Sequence, residues 1–358
     1  MSAVPASAAG ISVRRAWPAG HGRQTVEGYD AAGRLRAGVW DGEGPGARLE
    51  VYPYGHDPKL PGLAGVLAAG GPQPAELLVH RAGRRAVVRV HGAEAGERYV
   101  KLLRPGKADR VAEASARWGE LVRAAGGASA ALVEVGADRV VFDAVPGQSL
   151  RSLPLRSWRA AWAQFARLWP RLAVVPTAGA SDGTEAAAAW ERHNAHSEAE
   201  VVMAWLKRLQ EDDPLALDPE TAGRLHERAR TAVRELVEGV PQSLVRAHRD
   251  LHDEQLLYDP AAGRLGFLDF DTAALAEPAL DLANLWVHLD LRRAQDLISG
   301  PMHVSARAQV RRAAVRCGVT AQRFEAYAEA TRLRLVGVYG FRPPWRSLAR
   351  SWAGPAGL

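Results

Sequence analysis

A run of polar residues interrupts the second half of the chain, where most other segments have the periodicity of helices. The run reads LVRAHRDLHDEQLLYD, residues 244–259, and contains two histidines, three aspartates, a glutamate and a glutamine. The strand-like end QLLYD, the turn PAAGR and the strand-like segment LGFLDFD follow directly. We therefore predict that residues 248–255 form a loop followed by a β-hairpin, and that the hairpin brings Asp269 back beside Asp250.

The two halves of the chain have different hydrophobic periodicities. The first half contains short alternating apolar runs with glycine-rich and proline-rich turns between them, which are typical of β-hairpins. One helical pattern, residues 107–127, interrupts these runs. Residues 151–240 and 278–340 have apolar residues at helical spacing. This order of elements predicts an α+β chain of two lobes, one strand-rich and one mostly helical, with a cleft between them.

The composition is that of a globular protein with a sizeable core, since 47% of the 358 residues are hydrophobic. No run of 18 apolar residues occurs, so we expect no membrane span. Cys317 is the only cysteine in the sequence, which fits a reducing environment. The N-terminal residues lack the basic start and apolar stretch of a signal peptide, and we expect a cytoplasmic protein.

Basic residues outnumber acidic ones, and the formal net charge is +6. Such a charge suggests nucleic-acid binding first. The arginines are scattered among acidic residues without an aromatic and basic platform, so we expect no nucleic-acid partner. Only four of the 46 basic residues are lysines, and a lysine within an apolar segment is therefore a candidate functional residue.

The spacing of the polar run follows a pattern known from phosphoryl-transfer enzymes. His-Arg-Asp-x-x-x-x-Gln and the later Asp-Phe-Asp correspond to the H-R-D-x-x-x-x-N and D-F-G segments of those enzymes. Phosphoryl transfer needs an acceptor for the proton of the attacking hydroxyl, and oxygen ligands that hold Mg²⁺ against the nucleotide phosphates. Asp250 and Asp269 are the candidates for these two tasks, because a loop on a rigid scaffold can present both carboxylates.

The sequence resembles the aminoglycoside phosphotransferase and choline-kinase-like family in the segments YVKLL, HRDLHDEQLL and GFLDFDTAALAEPALDLANL. The resemblance implies a two-lobed protein-kinase-like fold, with an antiparallel-sheet N-lobe and a mainly helical C-lobe. It also implies ATP-dependent phosphorylation of a hydroxyl group on a small molecule. Carried over position by position, Asp250 is the catalytic aspartate and Asp269 the metal-binding aspartate. Asp281 would be the buried aspartate that braces the catalytic loop.

Two positions depart from the family pattern. Gln255 stands where the family usually has Asn, so its amide oxygen would bind the metal from one methylene further out. The hairpin HRAGRRA between the first two N-lobe strands contains a single glycine instead of several. We expect Gly83 to let the backbone approach a nucleotide phosphate, with help from one of the arginines around it (Arg81, Arg84 or Arg85).

Lys101 lies inside the apolar strand YVKLL, where an arginine would be the usual basic residue of this chain. A compact ammonium group suits nucleotide phosphates, and the resemblance gives Lys101 this role. Its expected partner is a glutamate on the following helix. Glu113 and Glu120 lie about two helical turns apart and can share a face. We favour Glu113, because it is nearer the start of the helix.

The segment VFDAVPG resembles the hinge between the lobes in this family. The backbone of Asp143, Ala144 and Val145 is therefore expected to bind the edge of the adenine base. The cofactors implied by the resemblance are ATP or GTP, between which the sequence does not decide, and Mg²⁺.

These assignments divide the chain into three parts. Residues 1–56 would form a β-rich extension or cap, residues 57–147 the N-lobe ending at the hinge, and residues 148–358 the helical C-lobe. The C-lobe would contain the catalytic loop and the pocket for a small-molecule acceptor. The sequence leaves open whether residues 11–56 cap the site, extend the N-lobe sheet or contact another subunit.

Other functions remain open at this stage. Gln255 and the glycine-poor hairpin are compatible with a non-catalytic nucleotide-binding module. A protein kinase shares the HRD segment, but no Ala-Pro-Glu segment follows DFD, which favours small acceptors. Aminoglycosides, sugars, amino sugars and amino alcohols all suit the resemblance, and neither the acceptor nor the oligomeric state can be read from the sequence.

Overall fold

The computed structural model describes residues 3–42, 46–69, 74–92, 96–174 and 190–354. Within them, long strands precede residue 150 and long helices follow it. The predicted α+β class, with an antiparallel-sheet lobe and a helical lobe, is confirmed. No helix among the described residues is long and apolar enough to cross a membrane.

The N-terminal segment forms a sheet of its own. Its strands are β1 (Ser7–Ala8), β2 (Ile11–Gly20), β3 (Arg23–Asp30), β4 (Leu35–Asp41) and β5 (Arg48–Val51). Each strand pairs antiparallel with the next along the chain. One face is apolar and buries Ile11, Val13, Val26 and Trp40, which pack against Phe341 from the far end of the chain. The segment therefore does not extend the sheet of the N-lobe.

A second antiparallel sheet forms the N-lobe and positions Lys101. Its strands are β6 (Glu76–Arg81), β7 (Arg85–Gly92), β8 (Gly96–Leu103), β10 (Leu132–Val135) and β11 (Arg139–Asp143), in the spatial order β10-β11-β8-β7-β6. Lys101 lies on the central strand, between Val87 of β7 and Val140 of β11. Helix α2 (Ala108–Ala124) follows β8 and buries Trp118 and Val122.

Two small sheets carry the polar loop and the hairpin. One consists of β12 (Gln148–Ser149), β15 (Leu256–Asp259), β16 (Arg264–Phe267) and β9 (Ala128–Ser129), in that order. The other consists of β13 (Arg192–His193), β17 (Ala274–Ala276) and β14 (Val245–Ala247), in that order. The predicted hairpin is present, with Leu256 opposite Phe267. Its second strand pairs with β9, just after α2, so the hairpin is tied to the N-lobe helix.

Helices form most of the C-lobe. The described helices are α1 (Leu63–Ala68), α2, α3 (Leu155–Leu172), α4 (Ala195–Asp212), α5 (Pro219–Glu238), α6 (Ala279–Ala294), α7 (Gly300–Arg316), α8 (Ala321–Gly340) and α9 (Arg346–Ala353). Helix α6 is buried on nearly all faces and is the centre of the lobe. The helical pattern predicted over residues 151–240 is interrupted by the short strand β13, and residues 175–189 lie outside the described part of the chain.

The N-terminal sheet contacts both lobes. Glu27 accepts the backbone N–H of His80, on the edge strand β6, at 2.8 Å. On the other side the N–H of Ala16 donates to the carbonyl of Phe341 at 2.8 Å, and Arg346 donates to the carbonyl of Val4 at 2.7 Å. The sheet thus bridges the N-lobe and the end of the C-lobe, and we keep the division at residues 1–56, 57–147 and 148–358 as a proposal.

A buried ion pair fixes the strand that leads into α6. The guanidinium of Arg323 donates to both carboxylate oxygens of Glu277, at 2.8 and 2.6 Å. Tyr327 and the N–H of Gln242 donate to the same carboxylate. Arg323 and Glu277 are 1% and 2% exposed, so neither charge can be solvated by water if its partner is lost.

We predict that Glu277→Ala lowers the free energy of unfolding by about 3–5 kcal/mol, because the substitution leaves the guanidinium of Arg323 buried and unpaired. The control is Glu227→Ala, which breaks the exposed pair between Glu227 and Arg230 and should cost about 0–1 kcal/mol. Urea unfolding followed by tryptophan fluorescence measures both. Equal losses in the two variants would contradict the role given to Glu277.

Candidate active site

The carboxylate of Asp281, in the first turn of α6, holds the backbone of the 248–255 loop. One oxygen accepts the N–H of His248 at 2.7 Å and the other accepts the N–H of Arg249 at 2.8 Å. Arg249 has a φ of 68°, which side-chain-bearing residues rarely adopt, and these bonds keep it there. Burial raises the pKa of Asp281 to about 6, although His248 and the two amide donors oppose the rise. These contacts correspond to the bracing role that the resemblance implied.

Hydrogen bonds join the loop to the returning hairpin. The ring Nε2 of His248 donates to the carbonyl of Leu268 at 2.7 Å. The N–H of Leu268 donates to the carbonyl of Gln255 at 3.0 Å. Asp269 follows Leu268 directly and has a φ of 59°, again in the left-handed region. The structure therefore brings Asp269 to the loop that carries Asp250, as the hairpin predicted.

Aromatic packing ties the hairpin to the N-lobe helix. The ring of Phe270 stacks on Trp118 of α2, with centroids 5.4 Å apart, and packs against His248 at 5.3 Å. Thr272 donates its hydroxyl to the carbonyl of His248 at 3.0 Å. His248 is fully buried in these contacts. It shapes the loop, and its ring is not available to react with a substrate.

Lys101 connects the N-lobe sheet to the end of the hairpin. Its Nζ lies 2.8 Å from Oδ1 of Asp269 and 2.5 Å from Oδ2 of Asp271. The predicted partner, Glu113, lies on the exposed face of α2. Among the described residues, no ion pair joins Glu113 to Lys101. The structure thus pairs the lysine with two C-lobe aspartates instead of the N-lobe glutamate, because the strand directs its side chain towards the hairpin.

The two aspartates that share this ammonium group titrate differently. Burial opposes ionisation of Asp269, but the charges of Lys101 and Arg85 outweigh it and hold the pKa of Asp269 below its ordinary value. Burial raises the pKa of Asp271, and the neighbouring charge of Asp269 raises it further, against the effect of Lys101. Lys101 and Arg85 therefore do not fully neutralise the two carboxylates, and a divalent cation could supply the missing positive charge.

Arg85 is the arginine of the Gly83 hairpin that reaches these aspartates. Its Nη1 lies 3.8 Å from Oδ2 of Asp269 and 4.0 Å from Oδ2 of Asp271. Arg81 instead covers the ring of Trp17, 5.1 Å from the centroid, in the N-terminal sheet. Burial, with help from the nearby arginines, lowers the pKa of Arg81 to about 10.

The backbone of Gly83 is already engaged inside the protein. Gly83 has a φ of 64°, and its N–H donates to the carboxylate of Asp57 at 2.7 Å. The same carboxylate contacts Nε2 of His80 at 3.0 Å, and Arg104 donates to the carbonyl of Gly83 at 2.6 Å. The expectation that this amide meets a phosphate is therefore corrected, because the carboxylate of Asp57 occupies the position of an anion there.

The hinge segment offers fewer free backbone groups than predicted. The N–H of Asp143 donates to the carbonyl of Ala131 at 3.0 Å, and the N–H of Ala144 donates to that of Glu97 at 3.1 Å. The N–H of Val145 has no acceptor within the described part of the chain. Of the three predicted amides, only that of Val145 can donate to a bound base without breaking one of these bonds.

Asp250 has a half-exposed carboxylate that no arginine or lysine of the described residues pairs with. Its side chain is 46% exposed, and Nε2 of His252 lies 3.9 Å from its Oδ2. The amide nitrogen of Gln255 lies 3.4 Å from the same ring nitrogen. This orientation leaves the amide oxygen of Gln255 as its metal-binding atom. Carboxylate oxygens of Asp269 and Asp271 and the amide oxygen of Gln255 form a donor set that suits Mg²⁺.

Arginines neutralise the two acids that follow His252. Asp253 is buried and contacts Arg292 at 2.8 Å and Arg151 at 3.4 Å. Glu254 contacts Arg151 at 2.7 Å. Burial opposes its ionisation, but Arg292 and the other nearby positive charges lower the pKa of Glu254 to about 2. Although ligand atoms of His252, Asp253 and His288 lie within 4.8 Å of one another, the guanidinium on Asp253 makes them a poor cation site.

The sequence did not indicate several of these contacts. The pairing of Asp271 with Lys101 is one of them. Asp57 and Arg292 carried no recognisable motif. The one available signal was the scarcity of lysine, which singled out Lys101 but not its partners.

Comparisons with known proteins place these features in a family. The family model described as the phosphotransferase enzyme family matches residues 76–328. No curated protein sequence gives a significant match. Among solved structures, a thermostable mutant of aminoglycoside phosphotransferase APH(4)-Ia has a TM-score of 0.56 at 14% identity, over 78% of this chain and 94% of that one. Residues 76–328, which the family model matches, include every predicted site residue.

Two further structures are similar to the chain. An aminoglycoside-3′-phosphotransferase of type VIII has a TM-score of 0.52 at 21% identity, over 75% of this chain and 98% of that one. A macrolide 2′-phosphotransferase of type I has a TM-score of 0.51 at 15% identity, over 79% of this chain and 92% of that one. At these identities the likeness shows the fold alone, and it confirms the kinase-like fold expected from the sequence.

We predict that Asp281→Asn removes a pH dependence of stability. The pKa of Asp281 in the folded protein, about 6, exceeds its ordinary value of 3.8, so the folded state binds the extra proton between these pH values. Wild-type stability therefore falls as the pH rises through this window. Because asparagine does not titrate, the wild-type free energy of unfolding minus that of the variant should decrease between about pH 4 and about pH 6.5.

Urea unfolding at a series of pH values measures this difference. The control is Asp296→Asn, since Asp296 is almost fully exposed and its substitution should give a difference that is constant with pH. A constant difference for Asp281→Asn as well would contradict the raised pKa.

Proposed function

This chain belongs to the phosphotransferase enzyme family, and from this we propose that it transfers the terminal phosphoryl group of ATP to a hydroxyl group of a small molecule. Small-molecule phosphotransfer follows from the family and its structural relatives. The nucleotide, the hydroxyl acceptor and the residue roles are the proposal. The choice between ATP and GTP would depend on groups around the base that the hinge does not identify.

One observation carries the proposal. Lys101 of the N-lobe sheet meets Asp269 and Asp271 of the C-lobe hairpin, directly beside the loop that presents Asp250. Fixed cations and carboxylates at a lobe junction are what the binding of a metal–triphosphate requires. An exposed carboxylate next to them is what activation of an acceptor hydroxyl requires.

Each residue then has a distinct task. Asp250 orients the acceptor hydroxyl and accepts its proton as the oxygen attacks the terminal phosphorus. Asp269 and Gln255 would hold Mg²⁺, with Asp271 as a third oxygen donor. When bound, the metal supplies positive charge that offsets the charge of the phosphate oxygens. Lys101, which contacts both aspartates in the structure, would bind the α- and β-phosphates.

The Gly83 hairpin contributes a side chain rather than its backbone. Arg85 points towards Asp269 from the first residue of β7, and a guanidinium there can bind phosphate oxygens next to the metal. Gly83 itself is occupied by Asp57, which keeps the hairpin in one conformation. We therefore assign phosphate binding at this hairpin to Arg85, and adenine binding at the hinge to the amide of Val145.

A non-catalytic nucleotide-binding module is the second candidate. Gln255 in place of Asn and the occupied amide of Gly83 both favour weaker nucleotide binding than in an efficient kinase. Turnover separates the candidates, because a module of this kind would bind Mg²⁺–ATP without transferring phosphate to any acceptor.

We predict that Asp250→Ala reduces kcat by about 10²–10⁴-fold, because the acceptor hydroxyl loses its proton acceptor. Affinity for Mg²⁺–ATP should be unchanged, since Asp250 makes no ion pair with Lys101 or Arg85 in the structure. Acceptor-dependent ADP release over a panel of sugars, amino alcohols, hydroxy acids and aminoglycosides measures the rate. Nucleotide titration by calorimetry measures the affinity.

Two comparison variants complete this experiment. Asp296→Ala removes an exposed acid beyond the end of α6 and should leave both quantities unchanged. Asp269→Asn should weaken Mg²⁺–ATP binding at least tenfold, because it removes a charged metal ligand. Wild-type rates in Asp250→Ala would reject the role of Asp250, and Mg²⁺–ATP binding without turnover in the wild type would favour the second candidate.

A further inference from the structure

A small cavity lies directly under the 248–255 loop. Its volume is about 70 Å³, it is partly open to solvent, and residues of helices α4, α6 and α8 and of the loop line it. Its polar lining comes from Glu198, Arg249, Asn284, Thr331 and Arg334. A compact group such as a carboxylate or a phosphate fits a cavity of this volume.

The cavity is joined to the catalytic loop at two points. Arg249 lines it and directly precedes Asp250 in the chain. Asn284 lines it and donates its side-chain N–H to the carbonyl of Leu251, directly after Asp250, at 2.8 Å. The residues on both sides of Asp250 in the chain are therefore tied to this cavity.

Positive charge exceeds negative charge around the cavity. Arg334 donates to the amide oxygen of Asn284 at 2.5 Å, and its Nε lies 3.7 Å from Glu198. Glu198 is shared, because its other oxygen contacts Nε2 of His193 at 2.8 Å. Arg249 makes one weak contact, to the carbonyl of Thr272 at 3.3 Å, and its buried Nε has no hydrogen-bond partner.

Other charges around Arg249 do not remove this excess. Asp281 lies nearby, but both of its carboxylate oxygens accept backbone N–H groups of the loop. Glu191 is also within electrostatic range of Arg249 and is paired with Arg110 at 2.8 Å. Arg249 and Arg334 thus line a space whose described lining contains one carboxylate, that of Glu198, which His193 and Arg334 share.

The residues around His252 and His288, which lie near Asp250, also carry more positive than negative charge. Burial lowers the pKa of His288, and the nearby positive charges of His252, Arg292, Arg334 and Arg342 lower it further. The acids there, Asp253 and Glu254, are bound by arginines. A polycationic acceptor would need several unpaired carboxylates in this region.

We propose that the acceptor alcohol carries an anionic group, a carboxylate or a phosphate ester, which Arg249 and Arg334 bind in this cavity. The inference rests on the proposed phosphotransfer and names the acceptor class as an anionic alcohol. Arg334 is a binding residue that selects this class, and Asn284 positions it.

The first test measures anion binding without turnover. Inorganic phosphate and acetate are titrated into the full chain at constant ionic strength, and the shift in the unfolding temperature gives the affinity. We expect one of them to stabilise the wild type, and the better anion distinguishes a phosphate ester from a carboxylate. Arg334→Gln should weaken that binding at least tenfold, and Arg334→Lys should weaken it less.

Matched variants locate the anion. Arg312→Gln removes an exposed arginine of α7 and should bind like the wild type. Absence of binding by either anion, or binding that Arg334→Gln leaves unchanged, would overturn the proposal.

The second test compares three-carbon acceptors that differ in charge: glycerate, glycerol and 2-amino-1,3-propanediol. The proposal predicts the highest kcat/KM for glycerate, and Arg334→Gln should reduce it to the value for glycerol. A preference for the cationic acceptor would overturn the proposal. If none of the three is phosphorylated, the first test alone decides whether the anion site exists. Failure of the anion-site proposal can therefore be distinguished from failure of the proposed phosphotransfer.

Discussion

Two buried aspartates, Asp269 and Asp271, share the ammonium group of Lys101, and the cleft is organised around this contact. Two carboxylates this close cannot both stay ionised in a partly buried site without positive charge between them. Lys101 comes from the central strand of the N-lobe sheet and the aspartates from the C-lobe hairpin. The contact therefore joins the two lobes, and under the proposed function it marks the position at which a metal–nucleotide complex would bind.

Short-range features of this arrangement were predictable from the sequence, and long-range ones were not. The hairpin follows from turn residues and alternation, so the return of Asp269 to the loop of Asp250 could be inferred. The partner of Lys101 could not, because the choice between Glu113 and the aspartates depends on how α2 lies against the hairpin. Asp57 lies 26 residues before Gly83 in the chain, and no local pattern signals such a contact.

Contacts with the N-terminal sheet and with Asp57 restrict the conformation of the hairpin around Gly83. The family match begins at residue 76, after this sheet, so the sheet is an addition to the shared fold. Asp57 and Glu27 hold the hairpin and the edge strand β6, while Phe341 fixes the other side of the sheet to the C-lobe. A hairpin held in this way cannot fold its backbone over a phosphate without losing these bonds. A side chain that already points into the cleft, Arg85, is then the remaining means of contact.

The abundance of arginine has a consequence for the cleft beyond net charge. In the structure, individual arginines pair with buried acids, as Arg323 does with Glu277, Arg15 with Glu27 and Arg292 with Asp253. Each pair removes a carboxylate from the set that could attract a cationic substrate. Asp250 makes no ion pair with an arginine or lysine of the described residues, and under the proposal above Arg249 and Arg334 would select the acceptor by its charge.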